Sequence, residues 1–177
     1  MSNIDLFKDI RRVVSAERPD GSSYVASDGP PTRIEGGRVA SMWATDYASP
    51  RLPVRDMGDD PTGALETFIG GPGDTRLNAM WVMPEGTPAS ELKQKSGQTM
   101  VPFRPSGRNK GPGWHATYSI DYMIVIRGEV ICGLDEGDVL LKAGDVIVQG
   151  GGNHVWRNPG TEPALVYGIT VGVPETK

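Results

Sequence analysis

The chain has one cysteine, Cys132, and two histidines, His115 and His154, in 177 residues. A single cysteine forms no internal disulfide, which excludes a disulfide-stapled secreted scaffold. Cys132 lies in the apolar run Val130-Ile131-Cys132 and reads as a packed small hydrophobe, not a nucleophile. No apolar run approaches the roughly 20 residues needed to span a bilayer. Residues 1–9 have neither a basic n-region nor an apolar h-region. A cytoplasmic protein with no membrane partner is therefore expected. Positive charge is not in excess either, since the net charge is -4. That excludes a nucleic-acid partner held by a basic surface. Helical signal is sparse as well, confined to residues 4–10 and 89–95.

Turn formers are abundant, with 24 Gly and 15 Pro spread along the chain. Together with short apolar runs they predict an all-β fold with little helix. Residues 11–16 and 23–27 flank Pro19-Asp20-Gly21-Ser22 and predict an N-terminal hairpin, because Pro fixes φ and Gly supplies positive φ. Residues 39–45 and 76–83 read as strands. Residues 46–75 and 84–112 read as long loops, of the kind that form lids or interfaces. From Tyr122 short strands follow one another at regular spacing: 122–126, 129–134, 139–142, 146–148, 154–157 and 164–173. This spacing predicts a sandwich or barrel. The length suits one domain over 1–177, with an N-terminal β extension and loops over 1–75 and a core barrel over 76–173.

Both histidines fall in this second half. His115 opens Trp114-His115-Ala116-Thr117-Tyr118-Ser119-Ile120-Asp121. His154 closes Gly150-Gly151-Gly152-Asn153-His154. Side chains alternate along a strand, so His115, Thr117, Ser119 and Asp121 share one face, and His154 and Trp156 share another. Facing inwards, two imidazoles and one carboxylate form either an acid/base group or the two-His-one-carboxylate donor set of a divalent metal. The glycines at 150–152 precede no helix, so they read as a barrel corner and not as a phosphate loop.

These segments resemble the cupins. The first cupin motif, His-x-His, three or four residues, Glu, six residues, Gly, maps onto His115, Thr117, Asp121 and Gly128. The second maps onto Gly144, Gln149, Gly151, His154 and Asn158. The likeness covers residues 110–172 and implies a jelly-roll barrel, the double-stranded β-helix. Three departures stand out. Thr117 replaces a histidine, Asp121 replaces a glutamate, and Gln149 replaces a proline. Ile-Asp-Tyr with Asn-His-Val-Trp-Arg-Asn is similar to a subgroup of single-domain cupins with Thr and Asp at these positions.

The resemblance implies an enzyme acting on a small, partly apolar molecule inside the barrel. The expected catalytic residues are His115, Asp121 and His154. The same three are the expected ligands of one divalent metal (iron, manganese or zinc) if a metal is used at all. Thr117, Tyr118, Trp156, Met123 and Trp81 are the expected substrate-binding residues. A lyase, dehydratase or isomerase is the preferred reaction class, with a metal-dependent dioxygenase or a non-catalytic binding protein as alternatives. Asp121 could instead pair with Arg104, Arg108 or Arg127. A homodimer through the edge formed by residues 11–27 is expected.

Overall fold

The computed structural model describes residues 6–8, 10–18, 20, 22–31, 33–45, 62, 65, 67–88, 103–104 and 110–174. Among them every regular element is a strand. The first four are β1 (Arg12–Glu17), β2 (Ser23–Gly29), β3 (Arg33–Glu35) and β4 (Val39–Thr45). Next come β5 (Thr75–Val82), β6 (Phe103–Arg104), β7 (Ala116–Thr117) and β8 (Ser119–Arg127). The last five are β9 (Glu129–Leu134), β10 (Gly137–Lys142), β11 (Val146–Gln149), β12 (His154–Arg157) and β13 (Ala164–Gly172). The helical signal over 4–10 resolves to a turn at residues 6–8, where the Ile10 amide bonds the Phe7 carbonyl. The signal over 89–95 and most of the two long loops lie outside the described residues.

Two sheets face each other. One runs β11-β8-β13-β5-β4-β3 and the other β10-β9-β12. An antiparallel bridge between His115 and His154 places the segment that leads into β7 beside β12. Counting the eight strands from β5, with this segment second and β6 left out, the layers read 1-8-3-6 and 2-7-4-5. That is the order of a jelly roll, in which a long hairpin folds over on itself. Two strands of the N-terminal extension, β3 and β4, join the barrel sheet beyond β5. β1 and β2 form the expected hairpin, which is a sheet of its own and not an edge of the barrel.

The core lies between the sheets. Val125 and Val166 of the first sheet meet Val130 and Cys132 of the second, all at most 1% exposed, with Leu141 and Met123 around them. Burying each such valine stabilises the fold by about 1.5–3 kcal/mol. A second cluster covers the outer face of β4 and β5, where Phe7 and Ile10 pack on Met42, Ala79 and Trp81. Further along the same face, on β8 and β11, Tyr122, Ile126, Val146 and Val148 stand exposed.

Candidate active site

The chain reaches the site from both sheets. His115 and Thr117 lie in line with the second sheet, opposite β12 and His154. At Tyr118 the chain crosses to the first sheet, so Asp121 belongs to β8. Thr117, Ser119 and Asp121 are all buried, and the Ser119 and Thr117 hydroxyls are hydrogen-bonded at 2.9 Å across the crossover. The corner before His154 is held by Gly151, whose φ of 74° favours glycine and whose carbonyl accepts from the Thr117 amide at 3.1 Å.

The two imidazoles are close, with ring centroids 4.3 Å apart and planes at 55°. Each is anchored the same way. His115 Nδ1 lies 2.8 Å from the Gly113 carbonyl, and His154 Nδ1 lies 2.8 Å from the Gly152 carbonyl. A carbonyl only accepts, so Nδ1 carries the proton in both neutral rings and Nε2 carries the lone pair. His154 is 2% exposed. Burial lowers its pKa to about 4, with the nearby His115 adding to the effect and the Gly152 hydrogen bond opposing it. His154 is therefore neutral near pH 7. Asp121 shifts upwards because it is desolvated, against the pull of the Ser119 hydrogen bond and of His115. Its Oδ1 has no hydrogen-bond partner among the described residues.

The three expected metal ligands come from both layers. Among the described residues no group of three or more His, Cys, Asp or Glu side chains is gathered to hold a metal ion. His115 and His154 pair on one layer, whereas Asp121 stands on the other, one methylene shorter than the glutamate of the motif. Thr117, in place of the second histidine, is engaged by Ser119. The residues as placed do not fit a three-ligand centre.

The expected substrate-binding residues divide. Trp156 stands 6.4 Å from His154, edge to face, and lines a cavity of about 330 Å³ with Met80, Val82, Val39 and Pro84. Neither histidine nor Asp121 lines that cavity, and Trp156 is the link between the two places. Met123 packs in the inner core against Gly168. Thr117 is buried beside the crossover, and Tyr118 is half-buried on the opposite parity. Trp81 belongs to the outer cluster, beneath the Arg127 guanidinium at 4.8 Å, and also lines the cavity. That contact occupies Arg127, while Arg104 reaches the Gly151 carbonyl, so neither is the partner of Asp121; Arg108 lies outside the described residues.

Two further motif positions, Asn158 and Gln149, and the lone cysteine have structural roles. Asn158 ties the end of β12 to β5, donating to the Val82 and Glu162 carbonyls and accepting from the Gly160 amide. Cys132 is fully buried, and burial pushes its thiol up to about 11, which makes it inert as a nucleophile. Gln149 donates from Nε2 to Cys132 Sγ at 3.2 Å, bridging the sheets. It pairs with Asp121 across β8 and β11, and Asp121 pairs with Thr170 across β8 and β13. Thr170 was not among the expected site residues. No local pattern marks it, because its place depends on a pairing between strands about 50 residues apart.

No protein-family model matches the chain. It is 33% identical over 132 residues to phomopsin biosynthesis cluster protein C' of Diaporthe leptostromiformis, which covers 74% of the chain and 59% of that protein. Protein D of the same cluster matches over the same share. Oryzines biosynthesis cluster protein J of Aspergillus oryzae is 49% identical over 49 residues, 27% of each chain. The chain thus spans less than two thirds of the length of these relatives. Among solved structures it is similar to an RmlC-like cupin with a double-stranded β-helix fold from Methanocaldococcus jannaschii (14% identity, TM-score 0.40, 61% of this chain and 79% of that one). It is also similar to a cupin-2 domain protein from Shewanella frigidimarina (16% identity, TM-score 0.35, 71% and 81%). What establishes the fold is the chain's own strand order. With the histidine-bearing segments of the two motifs paired side by side, the chain has the double-stranded β-helix fold of the cupins.

Proposed function

We propose that the chain is a small-molecule biosynthetic enzyme of the isomerase, dehydratase or lyase type, acting by proton transfer at the His115–His154 pair. The observation that carries this reading is the anchoring of both rings by backbone carbonyls, which turns two Nε2 lone pairs into acceptors 4.3 Å apart, ring to ring. A buried imidazole that stays neutral accepts a hydrogen bond from a substrate O–H or N–H. The half-exposed His115 takes a proton from the adjacent carbon and exchanges it with solvent or returns it elsewhere on the substrate. Asp121 holds the substrate from the facing layer, and Trp156 with the cavity beside it takes the apolar part. General acid–base help of this kind contributes about 10²–10⁴-fold in rate. The cluster proteins that share 33% identity support a role in making a small molecule. The cytoplasm is the compartment we assign. Among the described residues no helix is long and apolar enough to cross a membrane.

The test is solvent-deuterium incorporation, followed by NMR, into a panel of small hydroxy, keto and amino compounds. The expected result is incorporation that falls about 10²–10⁴-fold in His115→Ala and His154→Ala while compound binding persists. Binding without incorporation in the wild type would make the protein a carrier and not an enzyme.

For partners, we propose a homodimer across the outer face of β8 and β11. Tyr122 opposes Val148 there, and Val146 and Val148 are 57% and 58% exposed on an edge strand. An apolar face of this kind on a soluble protein marks an interaction surface.

A further inference from the structure

Gln149, Asp121 and Thr170 stand side by side on the inner face of β11, β8 and β13, each directly opposite the next. They are 6%, 5% and 7% exposed. Each has a polar atom without a partner among the described residues: Gln149 Oε1, Asp121 Oδ1 and Thr170 Oγ1. An unpaired buried polar atom costs about 1–3 kcal/mol, and more where it is charged. Among the described residues nine buried side-chain atoms lack a partner, and only here do three fall on directly paired residues of neighbouring strands.

The row is one-sided in its chemistry. A carboxylate oxygen and an amide oxygen accept only, and the hydroxyl can do the same. Gln149 Nε2 gives one of its two N–H groups to Cys132, away from the row. Across the lumen His154 offers another acceptor nitrogen. A carboxylate or phosphate ligand would be repelled by such a lining, and an apolar one would leave it unpaired. A metal ion needs its ligand atoms within about 2.0–2.6 Å of one centre, and among the described residues no three His, Cys, Asp or Glu side chains are gathered for one. An ammonium group needs acceptors about 2.7–3.2 Å away, and it brings three donors and a positive charge.

We infer that the Gln149–Asp121–Thr170 row binds the primary ammonium group of the substrate, so that the substrate is an amine. This deepens the proposed function and rests on its reading that the lumen takes a small organic molecule. Held on one layer by its amine, the substrate extends towards the imidazoles on the other.

Isosteric probes test it: propylamine, 1-propanol and propionate, with Zn²⁺ and Mn²⁺ as competitors, titrated into the full chain and followed by NMR. Propylamine is expected to bind at least about tenfold more tightly than 1-propanol, with propionate not binding, as a charge-assisted hydrogen bond requires. Asp121→Asn, nearly isosteric, is expected to weaken the amine at least about tenfold. Thr170→Val gives a smaller loss and serves if the first variant does not fold. Overturning results are equal binding of alcohol or propionate, amine binding indifferent to both variants, displacement of the amine by a divalent metal, or no probe bound because water alone fills the row. Deuterium incorporation into compounds without an amine would defeat this inference and leave the proton-transfer reading standing. Amine binding without incorporation would do the reverse.

Discussion

His115 and His154 are joined through their backbones before their side chains meet. The His115 amide donates to the His154 carbonyl at 2.9 Å, and the His154 amide returns a bond to the His115 carbonyl at 2.8 Å. The rings then lie 4.3 Å apart. The two motifs are thus held in one strand register, and the spacing of the imidazoles is a property of the barrel and not of flexible side chains.

Burial of His154 makes stability depend on pH. Its pKa is lowered from 6.5 to about 4 in the fold. Between those values the unfolded chain takes up the proton and the folded one does not, so stability rises with pH there. Acidification from 6.5 to about 4 is expected to remove on the order of 3 kcal/mol. Asp121, shifted upwards, acts with the opposite sign and favours the fold on the acid side of its own transition. Thermal unfolding at a series of pH values checks this. Tm should fall from pH 6.5 towards 4, and the fall should flatten in His154→Gln. A Tm that is level or rises on acidification would contradict the burial.

Much of this site was legible in the sequence. The strands β4, β9 and β12 match their apolar runs at both ends, and the parity of His115, Thr117, Ser119 and Asp121 holds, since Thr117, Ser119 and Asp121 are all buried. Period two reports which face a side chain takes, not which layer its strand joins. The crossing at Tyr118 leaves no mark on the parity, yet it moves Asp121 to the opposite sheet. Trp81 illustrates a different limit. Met80, Trp81 and Val82 are all apolar, so the alternation there is silent, and only the cover supplied by Phe7 and Ile10 turns Trp81 outwards.

Gly151 is required twice over. Its φ is 74°, and a Cβ there would run into the Thr117 carbonyl and come within 3.0 Å of the Ser119 carbonyl. Gly151→Ala is expected to cost about 2–4 kcal/mol. Gly152→Ala, where a Cβ meets nothing within 4 Å, should stay within about 0.5 kcal/mol of the wild type. Urea midpoints of the two variants make the comparison, and equal midpoints would refute the close packing of the corner on the crossover.

The outer face of β8 and β11 predicts the oligomeric state. Val148 is 58% exposed and sits opposite Tyr122. Val148→Lys should leave Tm of the folded protomer nearly unchanged, because the side chain is more than half exposed, and should shift light-scattering mass from two chains to one. A wild type that is monomeric at high concentration would remove this interface.

The measurement that bears most directly on the acid–base site is a long-range ¹H–¹⁵N correlation spectrum of the two histidines, recorded at about pH 8 and then down the pH scale. The account predicts the Nδ1–H tautomer for both rings at about pH 8, each with an unprotonated Nε2, and a His154 ring that stays neutral until the pH approaches about 4. An Nε2–H tautomer at His154, or protonation of His154 near its ordinary value of 6.5, would contradict it.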